Sequence, residues 1–214
     1  MTRSSPLYQL SRLLEDGADQ EVDALTRGLI DHGVAANAIL DALLAGMAVV
    51  GERFKEHEIF LPDVLLSARA MHAAMKHLKP LLVSEGIPTR GTVVLGTIAG
   101  DLHDIGKNLV GIMLQGAGYE IVDLGSDVPP GRFVDAAVRS GASVIGMSAL
   151  LTTTMVRMRE VVALVAERGL GARVRTIVGG APVTQAFARE IGADAYASDA
   201  TTAVERIAAL IDAA

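Results

Sequence analysis

The sequence predicts an α plus α/β protein. An N-terminal four-helix bundle over residues 1–85 is followed by a Rossmann-like, flavodoxin-like domain over residues 91–214, built on a five-stranded parallel sheet with flanking helices. Three observations predict this. Apolar residues recur at helical spacing through four segments of the first 85 residues. Gly and Pro then punctuate residues 84–90. Beyond that point short apolar runs alternate with helical patterns, and strands that alternate with helices imply a parallel sheet covered on both faces.

Each element follows from its own residues. Leu7, Leu10, Leu13 and Leu14 mark a first helix, closed by Gly17. Val22, Leu25, Leu29 and Ile30 mark a second, with Asp19 as its N-cap and His32-Gly33 at its end. The third runs from Asn37 to Lys55 through Ile39, Leu40, Leu43, Leu44, Met47, Val50 and Phe54. The fourth begins at Pro62, a residue suited to a first helical turn, and carries Val64, Leu65, Ala68, Met71, Met75 and Leu78. Short connections between amphipathic helices imply a small antiparallel bundle. Residues 86–90 read as a linker. The strands fall at 92–97, 119–123, 143–147, 174–178 and 194–197. Helices fill 107–116, 130–140, 153–168, 183–190 and 200–212, with Pro129-Pro130 at the start of the second of these.

Composition excludes several functions. The chain has 25 acidic and 19 basic residues and no long Lys/Arg run, which argues against a general nucleic-acid binder. It has no cysteine, which excludes disulfides, thiolate metal sites and cysteine nucleophiles and fits a cytoplasmic protein. Residues Met1 to Pro6 show no apolar signal region, and no apolar run approaches the roughly 20 residues of a membrane span, so no membrane role is expected.

Parallel sheets bind ligands outside the carboxyl ends of their strands. The loops to inspect are therefore 98–106, 148–152, 179–182 and 198–200. The first reads Gly100-Asp101-Leu102-His103-Asp104-Ile105-Gly106. An Asp two residues before a His on a strand-to-helix loop orients an imidazole toward a metal, and Gly106 leaves room for a bulky group. Taken singly, these features have plain explanations. Asp101 suits a helix start, Ser148 an ST-turn, and Gly179-Gly180 a tight turn. Their joint placement on strand-end loops points to one cleft. The other histidines offer less: His32 ends a helix, His57 lies in a charged turn, and His72 and His77 stand five apart on one helix. Met71, Met75, Met155 and Met158 read as core fillers. There is no Gly-Lys-Ser/Thr phosphate loop, Gly111, Gly116 and Gly118 lack the dinucleotide-binding spacing, and Ser148 stands where a response regulator needs an acid.

The combined pattern resembles a known signature. Asp101-x-His103-x-x-Gly106, then 41 residues, then Ser148-x-Leu150, then 28 residues, then Gly179-Gly180 is similar to the cobalamin-binding motif of His-on corrinoid proteins. In the first half, Val49-Val50-Gly51-Glu52-Arg53-Phe54 and Ile59-Phe60-Leu61-Pro62 resemble the helical cap of cobalamin-dependent methionine synthase. They resemble more closely the free-standing corrinoid proteins of methanol, methylamine and aryl methyl ether methyltransferase systems.

The resemblance implies that the cofactor is cobalamin or a related corrinoid, with methylcobalamin as the carrier state. It implies that His103 is the lower axial ligand of the metal, with Asp101 and Thr154 relaying behind it. Gly100, Leu102, Asp104 and Thr152 then lie near the ring. The nucleotide tail passes Gly106, Ser148, Leu150, Gly179, Gly180 and Ala200. Phe54, Leu61 and Val64 cover the upper face, with ordinary bundle core as the competing reading. The implied function is a methyl carrier, without catalysis of its own, that works between separate subunits. Its implied partners are a substrate:corrinoid methyltransferase, a second methyltransferase to a final acceptor, and a reductive activator. A cobalamin-dependent sensor, the small subunit of an adenosylcobalamin mutase and a cobalamin store compete with it. The sensor wants a DNA-binding domain and a Trp-bearing cap, and the chain shows neither; the mutase subunit does not need the bundle. Methanol, methylamines, betaine and aryl methyl ethers all remain open as donors.

Overall fold

The computed structural model describes residues 5–85 and 89–213. The chain divides into two compact units, Met1–Thr89 with Gln115–Gly118, and Arg90–Leu114 with Tyr119–Ala214. Residues 86–88 of the expected linker lie outside the described residues.

The first unit holds α1 (Pro6–Glu15), α2 (Asp19–Asp31), α3 (Ala36–Lys55) and α4 (Leu61–Ser84). Ser5 caps α1, its hydroxyl accepting from Tyr8 N–H at 3.2 Å, with Pro6 in the first turn. In α2 the cap position belongs to Ala18, and Asp19 is the first helical residue rather than the expected N-cap. Its charge still meets the positive end of the helix. In α4 the Asp63 carboxylate accepts from Phe60 N–H at 2.8 Å. The apolar stripes converge: Leu10, Leu14, Val22, Ile39, Leu43 and Leu78 are wholly buried and form one core with Met71. His77 pairs with Asp23 at 2.7 Å, and His72 contacts the carbonyl of Ala68.

Among the described residues of this unit, Glu15 is a buried charged group. The Glu15 side chain is almost fully buried, with Arg12 at 2.5 Å. Burial pushes its carboxyl above the usual range, against the opposing pull of Arg12. A raised folded value means the contribution to stability is complete below the unfolded value of about 4.3 and is lost as pH rises through the folded one. Glu15→Gln is therefore expected to raise the thermal midpoint of the helical unit at pH 8 and to match the parent at pH 4. Circular dichroism melts at the two pH values check this, and a Gln variant less stable at pH 8 refutes it.

The second unit is a sheet of order β2-β1-β3-β4-β5, every pair parallel. Its strands are β1 (Thr92–Thr97), β2 (Glu120–Asp123), β3 (Val144–Ser148), β4 (Arg175–Gly179) and β5 (Ala195–Ala197). The helices are α5 (Ile105–Gly116), α6 (Pro130–Ser140), α7 (Thr152–Met155), α8 (Met158–Glu167), α9 (Gln185–Ile191) and α10 (Ala200–Asp212). On one face Val94, Ile145, Met147 and Val178 pack against Phe133 of α6 and Met158 and Val161 of α8. On the other, Leu95 crosses Gly146, and Gly111 of α5 lies against Leu95 and Ile121. Pro130 opens α6, as its sequence predicts.

Two local expectations are corrected. The single helix expected over 153–168 is broken at Val156 and Arg157, where Arg157 N–H turns back to the carbonyl of Thr154 at 3.0 Å. No Gly or Pro announces this break, which sits beside the Thr154 hydroxyl described below. Ser148 and Gly179 are the last residues of β3 and β4 rather than loop residues, because the ladder pairs Thr97 with Ser148 and Ser148 with Gly179. Gly179 pairs in turn with Ala197. Four strands thus end side by side, and the loops that follow them share one edge.

Candidate functional site

Strand order reverses between β1 and β3, so the loops leaving these neighbours diverge and open a crevice. Asp101 bridges it from the β1 side. Its carboxylate is fully buried and accepts five hydrogen bonds. Oδ2 takes the main-chain N–H of Leu150 at 2.8 Å, that of Leu151 at 3.2 Å and the Thr154 hydroxyl at 2.7 Å, all from the β3 side. Oδ1 takes His103 N–H at 3.1 Å and His103 Nδ1 at 2.7 Å.

Burial by itself favours the neutral acid. The donors from Leu150, Thr154 and His103 outweigh it and hold Asp101 well below the usual carboxylate range. An ionised Asp101 can only accept, so beside it His103 Nδ1 carries a proton and Nε2 keeps the free lone pair. The His103 side chain is 52 % exposed against 0 % for Asp101. Its main chain is held too, for the Thr97 hydroxyl donates to the His103 carbonyl at 3.1 Å. The result is a held, outward imidazole whose Nδ1 is engaged by Asp101.

The surroundings are apolar and open. Leu102 is 73 % and Ile105 76 % exposed, and Leu150 and Leu151 are also exposed. Gly106 lies in the first turn of α5, and a Cβ there would meet nothing within 4 Å. Gly180 is the opposite case: φ is +120°, and a Cβ would fall 1.9 Å from the carbonyl oxygen of Ala149. At Gly179 a Cβ would come 3.0 Å from the carbonyl oxygen of Ala197. Ser148 accepts Ile98 N–H through its carbonyl at 3.0 Å. Thr152 is exposed, Asp104 accepts Asn108 N–H at its carbonyl, and Ala200 is buried at the first residue of α10. In the helical unit Phe54 and Leu61 are partly exposed, whereas Val64 is wholly buried.

Sequence reasoning missed several participants. Thr97 and Leu151 contribute as described. Asp127 accepts Gly100 N–H through Oδ1 at 2.7 Å. Lys107 is buried, its Nζ 2.7 Å from both carboxylate oxygens of Asp123 and 2.6 Å from Asn108 Oδ1. The only available signal was a Lys on the apolar start of a helix.

The B12 binding domain family matches residues 91–208, and a second B12 binding domain family matches residues 7–79. The chain belongs to the B12-binding corrinoid proteins. This corrinoid protein is 41% identical over 205 residues to a corrinoid protein of Desulfitobacterium hafniense strain Y51, covering 94% of this chain and 95% of that one. It is 46% identical over 212 residues to dimethylamine corrinoid protein 3 of Methanosarcina acetivorans, covering 96% and 100%. Among solved structures, the methanol:cobalamin methyltransferase complex MtaBC of Methanosarcina barkeri superposes with a TM-score of 0.87 at 32% identity, over 99% of this chain and 81% of that one. A cobalamin-binding protein of Desulfitobacterium hafniense DCB-2 does so with a TM-score of 0.78 at 32% identity, over 95% and 98%.

The residues fit the cofactor of this family. Among the described residues no three His, Asp or Glu gather into a metal cage. One oriented imidazole within an apolar rim suits a metal whose remaining ligands come from its own macrocycle. The corrinoid protein binds a corrinoid of the cobalamin type, as its family match shows. Among its described residues no helix is long and apolar enough to cross a membrane.

Proposed function

We propose that this corrinoid protein carries a methyl group between two separate methyltransferases, with His103 as the lower ligand of the cobalt. The observation that carries the proposal is the Asp101–His103 pair at 2.7 Å, in which a buried carboxylate engages Nδ1 and leaves Nε2 as the nitrogen for the metal. The bound corrinoid supplies a cobalt centre able to accept a methyl group and give it up. The chain's own residues bind and tune it. Asp101 orients the imidazole through Nδ1, and the donors from Leu150, Leu151 and Thr154 hold the carboxylate in place. His103 would hold the cobalt through Nε2, with the Asp101 carboxylate behind Nδ1 at 2.7 Å. Gly100, Leu102, Asp104 and Thr152 would border the ring, and Gly106, Ser148, Leu150, Gly179, Gly180 and Ala200 would receive the nucleotide tail.

The helical unit, residues 1–85, is the counterpart of the family's cap module, in which Phe54, Leu61 and Val64 would be the cofactor-covering residues. A substrate:corrinoid methyltransferase partner is supported by the MtaBC complex, which is a methanol:cobalamin methyltransferase complex. A second methyltransferase and a reductive activator complete the cycle, and the protein works in the cytoplasm. The named relatives span dimethylamine and methanol systems, so the partner, not this chain, sets the methyl donor.

The test is spectroscopic. Full-length protein loaded with cobalamin and reduced to cobalt(II) is expected to show nitrogen superhyperfine coupling that changes on 15N-histidine labelling. His103→Ala is expected to lose it and to bind cobalamin at least tenfold more weakly, a loss of about 1.4 kcal/mol. An unchanged spectrum in His103→Ala overturns the assignment. A methyl-transfer assay with candidate partners then separates a carrier from a store.

A further inference from the structure

We propose that Asp127 is a positioning residue for His103, strapping the back of the Gly100–Asp101 segment so that the buried carboxylate stays aimed at Nδ1. The proposal rests on His103 being the functional group of the site.

The starting point is an outlier. Among the described residues only His57 and Asp127 are non-glycine residues with positive φ, at 60° and 55°. His57 lies in the exposed turn between α3 and α4. Asp127 lies in the β2–α6 loop, directly behind the ligand loop. Left-handed backbone is uncommon for any residue with a Cβ, and Asp tolerates it better than most. Such conformations persist where the surrounding structure over-determines them.

From this conformation one residue engages two peptide groups of the ligand loop. Asp127 Oδ1 accepts Gly100 N–H at 2.7 Å, and Asp127 N–H donates to the Asp101 carbonyl at 2.9 Å. The turn that presents Asp127 is itself pinned. Thr97 N–H donates to the Gly125 carbonyl at 2.9 Å and Val128 N–H to the Thr97 carbonyl at 3.0 Å. Gly125 N–H donates to Asp123 Oδ1 at 2.9 Å, and the Asp123 carboxylate is held by the buried Lys107. Lys107 stands on α5, four residues after His103, so the chain of contacts closes on the ligand loop from both sides.

The loop needs this support. Gly100 has φ +84° and no side chain to hold it. The three donors from the β3 side all grip Oδ2, and both contacts at Oδ1 come from His103 itself, so the direction of Oδ1 depends on where the Asp101 backbone sits. Asp127 sets that position. The family signature does not contain it, and the sheet pairs through Ile98 and Val128 without its side chain.

The test uses the full-length apoprotein with 15N-labelled histidine at pH 8. Long-range proton–nitrogen spectra report the His103 tautomer, assigned by its absence in His103→Gln. The parent is expected to show the Nδ1–H form. Asp127→Gly removes the acceptor but relieves the backbone, and in it the Nε2–H form preferred by free imidazole is expected to become the major one. Asp127→Asn keeps both Oδ1 and tolerance of positive φ, and is expected to restore the parent tautomer. Asp127→Gly with the parent tautomer, or Asp127→Asn with the glycine variant's, overturns the proposal. A parent protein whose cobalt(II) spectrum lacks histidine coupling refutes the metal-ligand assignment instead, and the tautomer measurement still decides the strap.

Discussion

Asp101→Asn is expected to lower the stability of the α/β unit by about 3 kcal/mol at pH 7 and to move the His103 proton from Nδ1 to Nε2. An amide has one accepting oxygen where the carboxylate has two. Turned toward Leu150, Leu151 and Thr154, that oxygen keeps their three bonds and places the NH2 group against His103. The His103 main-chain N–H then loses its acceptor, and Nδ1 must offer a lone pair to the amide. Turned the other way, the two main-chain donors and the Thr154 hydroxyl face the NH2 group, and only Thr154 has another acceptor, the Leu151 carbonyl at 3.0 Å. Either orientation strands buried donors, and the first also removes the free lone pair at Nε2.

The same substitution carries a pH signature. The folded Asp101 is held below the usual carboxylate range, so the unfolded chain takes up its proton first as pH falls. Its stabilisation is complete above the unfolded value of about 3.9 and is lost as pH falls toward the folded one. The gap between parent and Asp101→Asn is therefore expected to be constant from pH 8 to about pH 5 and to close below about pH 4. Hydrogen exchange of β1 and β3 amides across this range measures it. A variant as stable as the parent at pH 7, or a gap that persists undiminished into strong acid, contradicts the account.

Gly180→Ala is the second large effect, expected to cost about 3–5 kcal/mol. The new Cβ would lie 1.9 Å from the Ala149 oxygen, 2.9 Å from its carbonyl carbon and 3.1 Å from its nitrogen. These are backbone atoms that cannot rotate away. The φ of +120° adds strain for any side chain. Relief requires the end of β3 to move from β4, breaking the Ala149 N–H bond to the Gly179 carbonyl at 3.2 Å. Because Leu150 and Leu151 follow directly, the displacement reaches Asp101 and so His103. Gly106→Ala is the matched control. Its Cβ meets nothing within 4 Å, so apoprotein stability is expected to stay within about 0.5 kcal/mol while cobalamin affinity falls. Urea unfolding of the apoproteins and cobalamin titrations separate the two glycines, and a Gly180→Ala protein as stable as the parent sinks the packing argument.

Much of the fold was legible because its cues are local. Leucine spacing placed the four helices of the first unit, and strand–helix alternation placed the sheet. The strand ends slipped by one residue at Ser148 and Gly179, because lateral pairing decides where a strand stops. The break at Val156–Arg157 has no local breaker. The site was legible only where its partners are neighbours in sequence. Asp101 and His103 stand two apart and announced themselves. Asp127 reads as an ordinary turn acid until the β2–α6 loop is folded against Gly100.

The sequence by itself determined the two-part architecture, the Asp101–His103 pair and the spacing to Ser148, Leu150 and Gly179-Gly180 that marks a corrinoid protein. These depend on side-chain identity and spacing, which a sequence records directly. Only the tertiary structure decided that Asp101 is buried yet ionised, that Nδ1 therefore holds the proton, and that Leu150, Leu151, Thr97 and Asp127 hold the loop in place. The physical reason is that much of this hold comes from main-chain N–H and C=O groups. Every residue but proline carries the same pair, so their role emerges only when the chain brings β1 and β3 side by side.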